Sequence, residues 1–201
     1  MRRVGIMGGT FDPIHMGHLS CAEMARDACA LDEVLFVTAG NPNFKQDRRI
    51  APAKERHAMV ELAVQGNAAF SASDAEVGGA EVAYTADTLA RLSGERPDAE
   101  LFFIMGTDSL MTLAHWKRAS RIAELACIIC VSRPGFMPDG TVLSSLEEMG
   151  FRIKMVEAPL LDISSSQIRA RVARGETVRY LVPDPVHGYL QATGLYRRER
   201  A

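Results

Sequence analysis

Short apolar runs recur along the chain, and between them apolar positions return every three or four residues. Residues 4–7, 34–38, 70–74, 101–105, 127–132 and 152–156 are wholly apolar or alternating, and most carry β-branched or aromatic side chains. They predict six strands. Residues 17–30, 52–65, 84–92, 110–125, 143–149 and 165–174 carry the longer period and predict helices between the strands. Strands this apolar need cover on both faces, which a parallel sheet flanked by helices provides. The pattern predicts an α/β fold: a doubly wound, open parallel sheet with helices on both faces. Ligands in such sheets bind at the carboxyl ends of the strands, near the point where strand order reverses. Residues 183–194 predict one further helix, with Pro183 and Pro185 at its start and Gly194 at its end. Tyr196-Arg-Arg-Glu-Arg200 reads as a charged, solvated tail. No repeat, low-complexity tract or linker interrupts residues 1–201, so a single domain is expected.

Composition narrows the function classes. Apolar residues make up 47% of the 201 and charged residues 24%, which is globular composition. With 23 Lys and Arg against 25 Asp and Glu, the formal net charge is −2. That near-balance argues against a protein that coats nucleic acid by charge. No run approaches the ~18 apolar residues of a membrane-spanning helix, and no secretory leader is evident. The spacing of Cys127 and Cys130 raises a metal or redox reading. Residues three apart on a strand point to opposite faces, so these thiols should not converge. Free thiols in a reducing, cytoplasmic setting are expected.

The first predicted strand runs into Gly8-Gly9-Thr10-Phe11-Asp12-Pro13-Ile14-His15-Met16-Gly17-His18. Paired glycines let backbone N–H groups approach an anion. The string is neither the dinucleotide-binding glycine pattern nor a Walker loop. It places two imidazoles, His15 and His18, on one face of an opening helical turn, where the helix end favours negative charge. Late in the chain, Ser164-Ser165-Ser166-Gln167 has the form of a capping box, with Arg169 and Arg171 a turn further on. Gly106-Thr107-Asp108 follows the fourth strand. Asp108 there fits a ribose hydroxyl, a hydrated magnesium ion or the cap of a helix at Leu110. Trp116, the single tryptophan, has polar neighbours in His115, Lys117 and Arg118. The basic loop 40–53 carries Lys45, Arg48 and Arg49 and suits an anionic ligand.

The glycine- and histidine-bearing string resembles the signature of the nucleotidylyltransferase superfamily, and more closely that of the bacterial nicotinate-mononucleotide adenylyltransferases. Tyr84-Thr85-Ala86-Asp87-Thr88-Leu89, Phe103-Ile104-Met105-Gly106-Thr107-Asp108, Trp116, Ser132-Arg133-Pro134-Gly135 and Ile163-Ser164-Ser165-Ser166-Gln167-Ile168-Arg169 continue the resemblance in the family's order. It implies a Rossmann-like fold and transfer of AMP from ATP to nicotinate mononucleotide, giving deamido-NAD and pyrophosphate. It implies that Gly8, Gly9, Thr10, Phe11, His15, His18, Gly106, Asp108, Arg133, Ile163, Ser164, Ser166 and Arg169 bind the nucleotide. His15, His18, Lys45 and Arg169 would serve catalysis. Thr85, Trp116, Lys117 and Lys45 would hold the acceptor, with Trp116 stacked on its pyridine ring and Thr85 bonded to its carboxylate. Nicotinamide mononucleotide, phosphopantetheine, and a nucleotide sensor without turnover are the competing readings. The acceptor pocket is expected to lack an acidic side chain beside Thr85 and Trp116. The chain departs from the family at Asn41-Pro42-Asn43-Phe44-Lys45, where Phe44 stands in place of a common histidine. ATP is the expected co-substrate, with Mg²⁺ carried by its phosphates and no protein metal ligand assigned. The expected partners are small molecules; no nucleic acid or membrane is expected, and a homo-oligomer is compatible with the sequence.

Overall fold

The computed structural model describes residues 1–40, 50–79, 83–132, 135, 138–159 and 161–197. Six strands form one parallel sheet: β1 (Arg2–Gly9), β2 (Glu33–Thr38), β3 (Phe70–Ser73), β4 (Ala99–Gly106), β5 (Ala126–Ser132) and β6 (Ile153–Glu157). Their order is β3-β2-β1-β4-β5-β6. Strand order therefore reverses between β1 and β4, where a doubly wound sheet leaves its crevice. Ile6 pairs with Phe103 across that junction, so the strands end level, at Gly9 and Gly106.

Eight α-helices cover the sheet among the described residues: α1 (Met16–Ala28), α2 (Ala53–Val64), α3 (Thr85–Glu95), α4 (Thr107–Leu110), α5 (Ala119–Leu125), α6 (Gly140–Glu148), α7 (Ser165–Ala173) and α8 (Asp184–Thr193). Strand alternation divides the core in two. One half gathers Met7, Phe36 and Ile129 beneath Ala22 of α1, Met59 of α2, Ile168 of α7 and Leu190 of α8. The other gathers Ile6, Leu35 and Ile128 beneath Leu89 of α3, Leu110 of α4, Ile122 of α5 and Leu146 of α6. Cys127 belongs to the first half and Cys130 to the second, as alternation requires.

Two expectations need correction. The helix expected over 110–125 is broken into α4, a 3₁₀ turn at Leu113–His115, and α5. Trp116 is extended (φ −69°, ψ 148°), and Arg118 is left-handed (φ 58°, ψ 45°). The Thr112 hydroxyl donates to Ser109 O and accepts from Trp116 Nε1, at 3.1 Å each. These local bonds compete with a continued helix. The second correction concerns the terminal segment. Tyr196 is half-buried, packs against the first core half and hydrogen-bonds to Asp12, so it is not part of a solvated tail.

Candidate active site

The loop after β1 is built around Gly9. A Cβ there would lie 2.8 Å from the Phe11 ring, which folds back over the strand end from a left-handed backbone (φ 47°). That buried ring meets His18 edge-on, with centroids 5.1 Å apart and planes at 88°. His15 caps α1 with an extended backbone (φ −149°, ψ 171°). Its N–H donates to Nδ1 of His18, 3.2 Å away, and the two rings stack with centroids 3.7 Å apart. Because His18 Nδ1 accepts, the neutral ring carries its proton on Nε2. His15 is 6% exposed, and burial lowers its pKa to about 4, so it is uncharged at neutral pH. Its buried Nδ1 has no hydrogen-bond partner among the described residues. Gly17 keeps this corner open: a Cβ there would lie 3.0 Å from His15 Nδ1 and 3.7 Å from the Ile163 carbonyl oxygen.

The late serine segment docks on the same loop. Ser164 caps α7 as the sequence predicts: its hydroxyl accepts from Gln167 N at 3.2 Å, and Gln167 Oε1 accepts from Ser164 N at 3.1 Å. The backbone N–H groups of Ser165 and Ser166 have no acceptor within the helix. The Ser165 hydroxyl donates to Pro13 O at 2.9 Å. Arg169 Nη1 donates to Asp12 O at 2.7 Å and lies 3.4 Å from Asp12 Oδ2, while Nη2 donates to Ser166 Oγ at 3.3 Å. Arg56 is 1% exposed and donates to the carbonyls of Ala51 (2.9 Å), Thr10 (2.5 Å) and Gly40 (3.0 Å). It fastens the first loop to the second, which makes it architectural. Burial is the main influence on its pKa, which is lowered.

On the opposite face of the sheet, Phe103 connects the glycine pair to the tryptophan. A Cβ on Gly8 would lie 3.6 Å from the Phe103 ring, which meets Trp116 edge-on with centroids 6.1 Å apart. Trp116 is half-buried at the margin of the second core half rather than within it. Thr85 is the first residue of α3, and Lys117 places Nζ 3.9 Å from the centroid of the Tyr84 ring. Asp87 of α3 pairs with Arg118. Asp87 lies two residues from Thr85 on the same helix, where positions i and i+2 do not share a face, and its charge is met by Arg118.

Gly106 caps α4 and is exposed, with open space where a Cβ would point. Asp108 is also exposed and sits inside the first turn of α4, not at the cap of a helix at Leu110. Among the described residues no three acidic, histidine or cysteine side chains could hold a metal together. A lone exposed carboxylate fits a hydrated cation riding on phosphate oxygens, not a protein cage. Lys45 and Arg133 lie outside the described residues.

The structure thus gathers Gly9, Phe11, His15, His18, Ile163, Ser166 and Arg169 on one face of the switch point. Thr85, Trp116 and Lys117 lie on the other, joined to Gly8 through Phe103. Thr10 enters through its carbonyl on Arg56. Sequence reasoning passed over Asp12, Phe103, Arg118 and Tyr196 as participants. The one available signal was that Asp12 is a carboxylate inside the glycine-histidine string.

The cytidylyltransferase-like family model matches residues 6–171. A probable nicotinate-nucleotide adenylyltransferase of Thermomicrobium roseum is 46% identical over 202 residues, spanning 100% of this chain and 94% of that protein. Another, from Desulfitobacterium hafniense, is 43% identical over 203 residues, spanning 98% and 96%. The nicotinic acid mononucleotide adenylyltransferase of Plasmodium falciparum, solved in complex with NaAD, has the same fold at 20% identity, with a TM-score of 0.80 over 98% of each chain.

Proposed function

This chain belongs to the cytidylyltransferase-like family, among its nicotinate-nucleotide adenylyltransferases, and from that premise we infer that it transfers AMP from ATP to nicotinate mononucleotide. The products are deamido-NAD and pyrophosphate. The observation that supports the reading is two side-chain clusters on opposite faces of the sheet, one reaching Gly9 through Phe11 and the other reaching Gly8 through Phe103. A cradle of imidazoles, helix-start N–H groups and Arg169 suits a triphosphate. An edge-packed tryptophan with Thr85 and Lys117 suits a flat, anionic acceptor.

The chemistry requires little covalent help. A phosphate oxygen of the acceptor attacks the α-phosphorus of ATP, a P–O bond forms, and the bond to the β-phosphate oxygen breaks as pyrophosphate leaves. The acceptor phosphate is ionised at neutral pH and needs no protein nucleophile. The protein aligns two anions and meets the charge that moves to the leaving group. His18 Nε2–H donates toward the phosphates. His15 enters uncharged, and a bound triphosphate favours its protonation. Arg169 keeps its contact with Asp12 and turns its remaining N–H donors to phosphate oxygens, and Ser164 and Ser166 line the same helix start. Gly106 and Asp108 stand at the nucleoside side of the crevice. By family resemblance, Lys45 and Arg133 add cationic contacts. Magnesium bound to the phosphates would supply further charge neutralisation. The four free thiols and the small-molecule substrates accord with a cytoplasmic biosynthetic enzyme.

The test is pyrophosphate release from ATP with nicotinate mononucleotide, its amide and phosphopantetheine offered in turn. Release with the acid nucleotide is expected. ATP binding without release from any acceptor would identify a sensor instead.

A further inference from the structure

Asp12 is the most heavily engaged carboxylate near the phosphate cradle, and it is 3% exposed. Its Oδ1 accepts from Ala51 N at 3.2 Å and from the Tyr196 hydroxyl at 2.6 Å. Its Oδ2 lies 3.4 Å from Arg169 Nη1, which also donates to the Asp12 carbonyl. Tyr196 reaches this point from a left-handed backbone (φ 67°) just beyond α8, 184 residues further along the chain. Burial, and then the bond to Asp12, push its phenol well above the ordinary tyrosine range, so it stays a donor wherever the protein is folded.

Arg169 and Tyr196 both line a cleft of about 990 Å³. The Arg169 guanidinium is held by hydrogen bonds to the Asp12 carbonyl oxygen and Ser166 Oγ and by the ion pair to Asp12 Oδ2.

We propose that Tyr196 is a positioning residue: its hydroxyl fixes the Asp12 carboxylate, and Asp12 in turn holds Arg169 on line for the triphosphate. The inference rests on the adenylyl-transfer reading above. Removing the hydroxyl leaves Asp12 with Ala51 N and Arg169 as partners and lets the carboxylate rotate. Arg169 then loses alignment without losing its charge.

The test is a double-mutant cycle of Tyr196→Phe and Arg169→Ala, read by turnover and by ATP titration on the intact protein. Tyr196→Phe should lower kcat about tenfold, in line with the cost of small misplacements at a reacting centre. The KM for nicotinate mononucleotide should stay within about twofold, since Thr85 and Trp116 are untouched. In the Arg169→Ala background the same change should cost less than about twofold, because coupled residues are non-additive. Equal losses in both backgrounds would overturn the proposal. So would unchanged kcat in Tyr196→Phe, or loss of the folded circular dichroism spectrum, which would make the hydroxyl purely architectural. If the unmutated protein turns over no acceptor, the adenylyl-transfer reading fails. The same cycle on ATP affinity then decides the coupling: a Tyr196→Phe loss that vanishes with Arg169 supports it, and one that persists overturns it.

Discussion

The backbone N–H of His15 donates to Nδ1 of His18 across 3.2 Å, so a single imidazole both caps α1 and fixes its own tautomer. His18→Ala should therefore do two things. Loss of the cap should lower stability by roughly 0.5–2 kcal/mol. Loss of the Nε2 donor should lower kcat at least about 100-fold while ATP affinity stays within about tenfold, by analogy with other preorganised donors. His18→Asn, which keeps an acceptor near Nδ1, should recover the stability and not the rate. Steady-state turnover beside urea unfolding separates the two effects. A near-normal kcat in either variant would reduce His18 to a cap.

His15 should make stability pH-dependent. Its folded pKa is about 4, below the 6.5 of the unfolded chain, so the unfolded state takes up the proton first as pH falls. Stability from this residue is intact above about pH 6.5, declines through the window down to about 4, and is level below it. Between pH 7 and 5 the decline should be on the order of 2 kcal/mol and should vanish in His15→Asn. Urea unfolding at the two pH values checks it. Equal slopes in both proteins would show that His15 is charged or solvated in the fold.

Trp116 is anchored by Thr112 at its indole N–H and by Phe103 at its edge, which leaves it held but not enclosed. Trp116→Ala should raise the KM for the acceptor about tenfold or more, as for loss of a base-stacking platform. ATP affinity should hardly change. Unfolding, or equal loss of ATP binding, would instead make Trp116 a core residue.

Acceptor choice should turn on Asp87. On the proposed reading Thr85 and Lys117 meet the acceptor carboxylate, and Arg118 neutralises Asp87 of the same helix start. The acid nucleotide should exceed its amide by more than about tenfold in kcat/KM, about 1.4 kcal/mol of differential binding. Arg118→Ala frees the Asp87 carboxylate and should narrow that ratio. Equal use of acid and amide by the unmutated protein would contradict carboxylate recognition.

The sheet, its six strands and the two loop-to-helix turns proposed to hold phosphate were legible because each is written locally. Apolar runs give strands, Gly8-Gly9 gives close backbone approach, and Ser164 to Gln167 gives a cap. The break at Thr112–Arg118 was not legible. It depends on hydroxyl and indole bonds that compete with a helix whose apolar spacing at Leu110, Leu113, Ile122 and Ala123 is otherwise correct. Tyr196 was hidden for a different reason. Its partner Asp12 is close only after the whole chain has folded, and a tyrosine ahead of arginines carries no local sign of burial.

The most direct measurement follows the α-phosphorus. ATP labelled at that atom is incubated with nicotinate mononucleotide and magnesium, and the products are separated. Adenylyl transfer places the label in the dinucleotide and leaves pyrophosphate unlabelled. Label recovered in ADP or in free AMP, with no labelled dinucleotide, would contradict attack by the acceptor phosphate at the α-phosphorus.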